Sequence, residues 1–127
     1  MGLAYAALHS LVHLATPFLI AFIFNLNFEN FLIVFFANFL IDLDHLYYFK
    51  KYGLKHWIDT ILKFSEAKKY PLHNLYLLMA CFIGSLLLFF TQYFKIGLVF
   101  LSIFLHMLWD LFEDIVIFKM GIKHWLI

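Results

Sequence analysis

The chain has 127 residues, of which 65% are hydrophobic, 22% aromatic and 13% charged, with a formal net charge of +1. Soluble domains carry about 25% charged residues, so this composition excludes an ordinary water-soluble fold and assigns residues 1–127 to one membrane domain. The near-neutral balance, with no arginine, excludes a basic nucleic-acid face, and the lone Cys81 excludes an internal disulfide or a thiolate metal cage.

Four apolar runs are long enough to span, since about 20 residues cross the hydrocarbon core. The first, near 6–25, carries His9 and His13 four residues apart and therefore on one helical face. Pro17, four residues after His13, has no amide to give the His13 carbonyl and should bend this helix. Asn25 to Asn30 form a short turn. The second run, near 30–49, ends in Asp42, Asp44 and His45. Asp42 and His45 share a face at i, i+3, whereas Asp44 points away from Asp42. Residues 50–71 interleave Lys50, Lys51, Lys55, Lys63, Lys68 and Lys69 with Trp57, Ile58, Ile61, Leu62 and Phe64. That spacing predicts an amphipathic helix at the membrane interface, closed by Pro71. The third run, near 72–92, begins with His73 and Asn74, and Cys81 within it reads as a small core residue. Gln92 to Lys95 make the next turn, and the fourth run, near 96–118, carries His106 and Asp110 at i, i+4. Glu113 and Asp114 lie near its end, where solvation is their expected role. The whole predicts an all-α, polytopic transmembrane four-helix bundle of two antiparallel hairpins plus an interfacial helix.

An internal repeat supports the hairpin pairing. Lys51-Tyr-Gly-Leu-Lys-His-Trp57 returns as Lys119-Met-Gly-Ile-Lys-His-Trp125, and the same offset of 68 pairs Asp42 with Asp110 and Phe36 with Phe104. Two similar hairpins about a pseudo-two-fold axis along the membrane normal would give this pattern. Of nine lysines, all but Lys95 fall in the 50–71 segment or after residue 118. The positive-inside rule then puts both termini, that segment and the polar clusters on the cytoplasmic side of an integral membrane protein.

The polar clusters occur at the start of the first run, the end of the second, the start of the third and the outer part of the fourth. Because successive spans alternate direction, all four meet at one level. Ionisable groups there are costly, by about 2.5–3.5 kcal/mol each on insertion scales, and normally face the interior for a function. Neutral imidazole with carboxylate and no thiolate suits a divalent metal, zinc first and manganese or iron after it. Seven residues, His9, His13, Asp42, His45, His73, His106 and Asp110, exceed the needs of one catalytic zinc. The surplus predicts either two ions bridged by a carboxylate or second partners that orient the ligating rings. Asp42, His45, His106 and Asp110 would be the core ligands, His13 and His73 would complete them, and Asp44 would be the general base. His56 and His124, each beside Lys and Trp, read as interfacial anchors.

At these motifs the chain resembles the YdjM-like membrane-bound metal-dependent hydrolases of bacteria. The resemblance rests on an N-terminal His, then Asp42-Leu-Asp44-His45, then Pro71-Leu-His73, then His106-Met-Leu-Trp-Asp110. It is closer still to a small bacterial membrane family with His-x-x-x-His, Asp-Leu-Asp-His, Pro-Leu-His and His-Met-x-x-Asp. The larger relatives carry His-Arg-Gly-x-Thr-His at the third motif, where this chain has only Pro71-Leu-His73-Asn74. The resemblance implies a prokaryotic cytoplasmic-membrane protein with a metal site built from His13, with His9, Asp42, Asp44, His45, His73, His106 and Asp110. It also implies hydrolysis, and a shallow site beside membrane lipids points to a lipid or lipid-linked ester or phosphoester. Two other classes fit the same residues: a non-catalytic metal-binding membrane module, and a metal or proton translocator.

Overall fold

Helix α1 (Gly2–Ile23) runs through Pro17, and a turn with Asn25 at φ 48° leads out of it. Asparagine tolerates that left-handed geometry better than most side chains. Helix α2 (Phe28–Leu40) is capped by Asn27, whose side chain accepts from the Asn30 amide at 2.9 Å. Helix α3 (Leu75–Phe89) is capped in the same way by Asn74 on the Leu77 amide at 2.9 Å. Helix α4 (Phe94–Phe112) continues into a π turn (Glu113–Ile117), and a 3₁₀ turn (Ile122–Trp125) follows. This computed structural model describes residues 2–43, 45–47, 49–51, 53, 55, 72–119 and 122–126, with side chains from Ala7 onward except those of 123 and 124. Among the described residues all regular structure is helical.

Two expected spans differ from the observed helices. After Leu40 the chain makes tight i→i−3 bonds, from the Asp42 amide to Phe39 and from the His45 amide to Asp42. The helical stretch His45–Lys51 therefore leaves at 44° to α2, and Asp42 sits in the elbow. The third helix is shorter than its apolar run, because Asn74 starts it and Thr91 ends it. Thr91 Oγ1 donates to the Leu88 carbonyl and accepts from the Tyr93 amide. Among the described residues, only Phe94–Ile117, at 24 residues, is by itself long and apolar enough to cross a membrane, and the bent pair Phe28–Leu40 with His45–Lys51 passes as a second. Ala7–Ile23 and Leu75–Phe89 are apolar but shorter. The amphipathic segment predicted over 50–71 lies largely outside the described residues, as do Asp44, His56 and Pro71.

Helices α2 and α4 form the central pair, α3 packs along α4, and α1 packs on α2 and touches α4. Gly97 permits the α3–α4 approach: a Cβ there would lie 2.9 Å from the Phe89 amide nitrogen. Two apolar clusters fill the interior. Ile20, Val34 and Leu98 sit toward the turn end, where Lys95 pairs with Glu29. Ile41, Leu78, Met107 and Trp125 sit toward the other. The distribution of polarity is inverted relative to a water-soluble bundle. Phe22, Leu87 and Phe90 are 85%, 68% and 87% exposed, while His13, Asn38, Ser102, His106 and Glu113 are buried. The buried amide and hydroxyl are used between helices: Asn38 Nδ2 donates to the His13 carbonyl at 2.8 Å, and Ser102 Oγ to the Val34 carbonyl at 2.9 Å. The first of these supplies the donor that Pro17 withholds.

Candidate metal centre

Seven His and Asp side chains singled out by the sequence come together at the end of the bundle away from the Glu29–Lys95 pair. His9 and His13 come from α1, Asp42 and His45 from the elbow after α2, His73 from the residue before the α3 cap, and His106 and Asp110 from α4. Their helical spacings put each pair on one face, and the cap at Asn74 directs the chain so that His73 precedes the helix at the level of Asp110. Asn74 itself caps the helix.

Asp110 is the centre. Its Oδ1 is 3.0 Å from His13 Nε2, and its Oδ2 is 3.1 Å from His73 Nε2 and 3.3 Å from His106 Nε2. Asp42 Oδ1 reaches the same imidazoles from the other side, 3.3 Å from His106 Nε2 and 3.9 Å from His73 Nε2. His45 lies further out, with Nδ1 3.8 Å from Asp42 Oδ1 and its ring stacked on His73 at 5.3 Å. Metal bonds of about 2.0–2.2 Å to nitrogen and oxygen put tetrahedral ligand atoms roughly 3.4 Å apart. The contacts around His73, His106, Asp42 and Asp110 bracket that spacing. Three overlapping groups each bring their ligand atoms within 4.8 Å of one another: His9, His13 and Asp110; Asp42, His45 and His73; and His73, His106 and Asp110.

Three buried atoms in the cluster have neither a hydrogen-bond nor an ion-pair partner: Nδ1 of His13, Nδ1 of His106 and Oε1 of Glu113. Buried polar atoms are nearly always satisfied, and orphans gathered in one cluster call for an ion or water. The His13 and His106 rings lie 3.9 Å apart and tilted by 35°. Two imidazolium rings so close would repel, whereas two neutral rings can both turn lone pairs to a cation. A donor set of imidazole and carboxylate therefore fits a divalent metal by chemistry, spacing and burial.

Two residues expected to be peripheral belong to the site. Glu113, assigned to solvation, is buried, and its Oε2 lies 2.7 Å from His9 Nδ1. His106, Asp110 and Glu113 are i, i+4 and i+7, so the helical period alone placed Glu113 on this face. Trp125, beside the expected anchor His124, is 2% exposed. Its indole Nε1 donates to Asp114 Oδ2 at 2.8 Å, and its ring packs edge-on to His73 at 6.3 Å. The C-terminal turn thus folds back over the cluster. Asp44, the expected general base, lies outside the described residues, as does the side chain of His124.

Compared with known protein families, curated proteins and solved structures, the chain gives no match.

Proposed function

We propose that this is an integral membrane protein with a divalent-metal centre at the cytoplasmic end of a four-helix transmembrane bundle, and that the centre hydrolyses a lipid or lipid-linked ester or phosphoester. The observation that carries the metal reading is Asp110, one carboxylate contacting histidines from three separate elements through both of its oxygens. The same network leaves His13 Nδ1 and His106 Nδ1 buried without a hydrogen-bond partner. A divalent cation supplies Lewis acidity and activates water near neutral pH.

The membrane reading is supported by the inverted polarity, since continuous apolar exteriors of this size are unusual on soluble proteins. The two-hairpin reading is supported by contacts between positions 68 apart: Val34 bonds Ser102, and Asp42 and Asp110 flank the same imidazole. A two-fold axis passing between α2 and α4 brings equivalent positions together in this way. Support for the substrate class is positional. The centre lies near one end of the helices, where a lipid can arrive laterally, and Lys50 and Lys51 are exposed on the helical stretch that follows Asp42. Asp42, His73, His106 and Asp110 hold the metal, His13 and His45 flank it, and Asp44, two residues from Asp42, takes the proton from water.

Translocation fits less well, because Ile20, Val34 and Leu98 pack as an apolar cluster in the opposite half. The non-catalytic module has one observation in its favour: with Asn74 used as a cap, the third motif contributes His73 alone.

The test is elemental analysis of protein purified in detergent without chelator, followed by a screen of ester and phosphoester lipids. At least one Zn, Mn or Fe per chain is expected, and Asp110→Ala should lose most of it. Metal-free wild-type protein would remove the reading. Metal without turnover above a stripped control would leave the binding module.

A further inference from the structure

We infer that the centre holds two cations that share the Asp110 carboxylate, and that Glu113 orients the ligand which makes the second position. This rests on the metal reading above and goes beyond it. Asp110 Oδ2 faces His73 and His106, with Asp42 Oδ1 on the same two rings; that is one donor set. Asp110 Oδ1 faces away from it, toward His13 Nε2 at 3.0 Å, and His9, His13 and Asp110 form a separate group of mutually close ligand atoms. The two sets have only Asp110 in common. A carboxylate that presents one oxygen to each of two cations sets them about 3.5–4 Å apart, the spacing of two-metal hydrolytic centres.

The second set has its own supports. His13 is buried, its Nε2 facing Asp110 Oδ1 and its Nδ1 without a hydrogen-bond partner. His9 Nδ1 lies 2.7 Å from Glu113 Oε2, and a cation in this set would be bound through the other ring nitrogen. Carboxylate–histidine–metal relays of this kind fix the tautomer and the ring plane. Glu113 is held for the task at the start of the π turn, where the Phe118 amide bonds its carbonyl. Wide turns of this type recur at functional sites. Glu113 is a positioning residue: it acts through His9.

The experiment is titration of chelator-stripped, detergent-purified full-length protein with Mn²⁺, read by elemental stoichiometry and by electron paramagnetic resonance. Two Mn²⁺ per chain at saturation with an exchange-coupled spectrum is the expected result. His9→Ala should bind one ion with an uncoupled spectrum. Glu113→Gln, which keeps the shape and suits a protein in which His9→Ala fails to fold, should weaken the second ion by about 10–100-fold and leave the first. A wild-type stoichiometry of one, with an uncoupled spectrum, overturns the two-cation inference while the single-metal reading stands. Two coupled ions in His9→Ala, or an unchanged second affinity in Glu113→Gln, overturn the assignment of those residues. No bound ion at all overturns both readings.

Discussion

Pro17 leaves the His13 carbonyl without its helical amide, and Asn38 Nδ2 from α2 fills the gap at 2.8 Å. One exchange therefore links the backbone behind a site histidine to the neighbouring helix. Asn38→Leu would leave that buried carbonyl orphaned, a loss of about 1–3 kcal/mol. Pro17→Ala restores an amide four residues on, so the same Asn38→Leu change should cost much less in a Pro17→Ala background. The coupling between the two, read from detergent unfolding of the four proteins of the cycle, should be positive and near the size of the hydrogen bond. Additive effects would mean that Asn38 stabilises through packing alone. The proline effect was legible in the sequence because it follows from one missing N–H; its partner was not, because nothing local says which helix supplies the donor. Glu113 was legible too, at i+7 from His106, but a position near the helix end suggested solvation. Only the return of the C-terminal turn, with Trp125 over His73, explains why that end is closed.

At the scale of elements, apolar runs located the helices but not their ends. Hydrophobicity continues through Ile41 and through Phe90, whereas the helices stop where i→i−3 bonds and a threonine hydroxyl capture the last carbonyls. These are local polar choices inside an apolar run, which a hydropathy window averages away. The elbow is the consequential one, since it swings His45–Lys51 out at 44° and leaves Asp42 facing α4. Close approach of α3 to α4 has a different origin. At Gly97 an added Cβ meets Phe89 backbone at 2.9 and 3.0 Å, and helix backbone cannot yield without moving the whole element. At Gly84 the obstacle is the Phe100 ring at 3.0 Å, which can turn. Gly97→Ala should therefore destabilise by about 1–3 kcal/mol, as overpacking does, and Gly84→Ala by clearly less. Equal thermal shifts for the two, measured in one detergent, would contradict this reading of the α3–α4 interface.

For the whole molecule, the end that carries the His/Asp cluster also carries most of the described lysines. Lys50, Lys51 and Lys55 follow the elbow and Lys119 follows the π turn, while Lys95 stands alone at the other end and is paired with Glu29. Lysine near span ends sets orientation, and the lysine-rich side stays in the cytoplasm. In the membrane reading this faces the metal centre toward the cytoplasmic leaflet and its anionic lipids. Cys81 is buried, so a Cys81→Ala background is needed only to remove a slow competing thiol. In that background Gln92→Cys, in the exposed α3–α4 turn, should react with an impermeant maleimide added to intact cells. Lys55→Cys should react only after the membrane is opened. The reverse pattern would place the centre at the outer leaflet, and the substrate pool to screen would change with it. Labelling of both from one side would be incompatible with an α3–α4 hairpin that crosses the bilayer twice, because its turn and the elbow would then share a face. That outcome would remove the transmembrane bundle while leaving the cluster around Asp110 intact, since its distances depend on helix packing and not on the surrounding solvent.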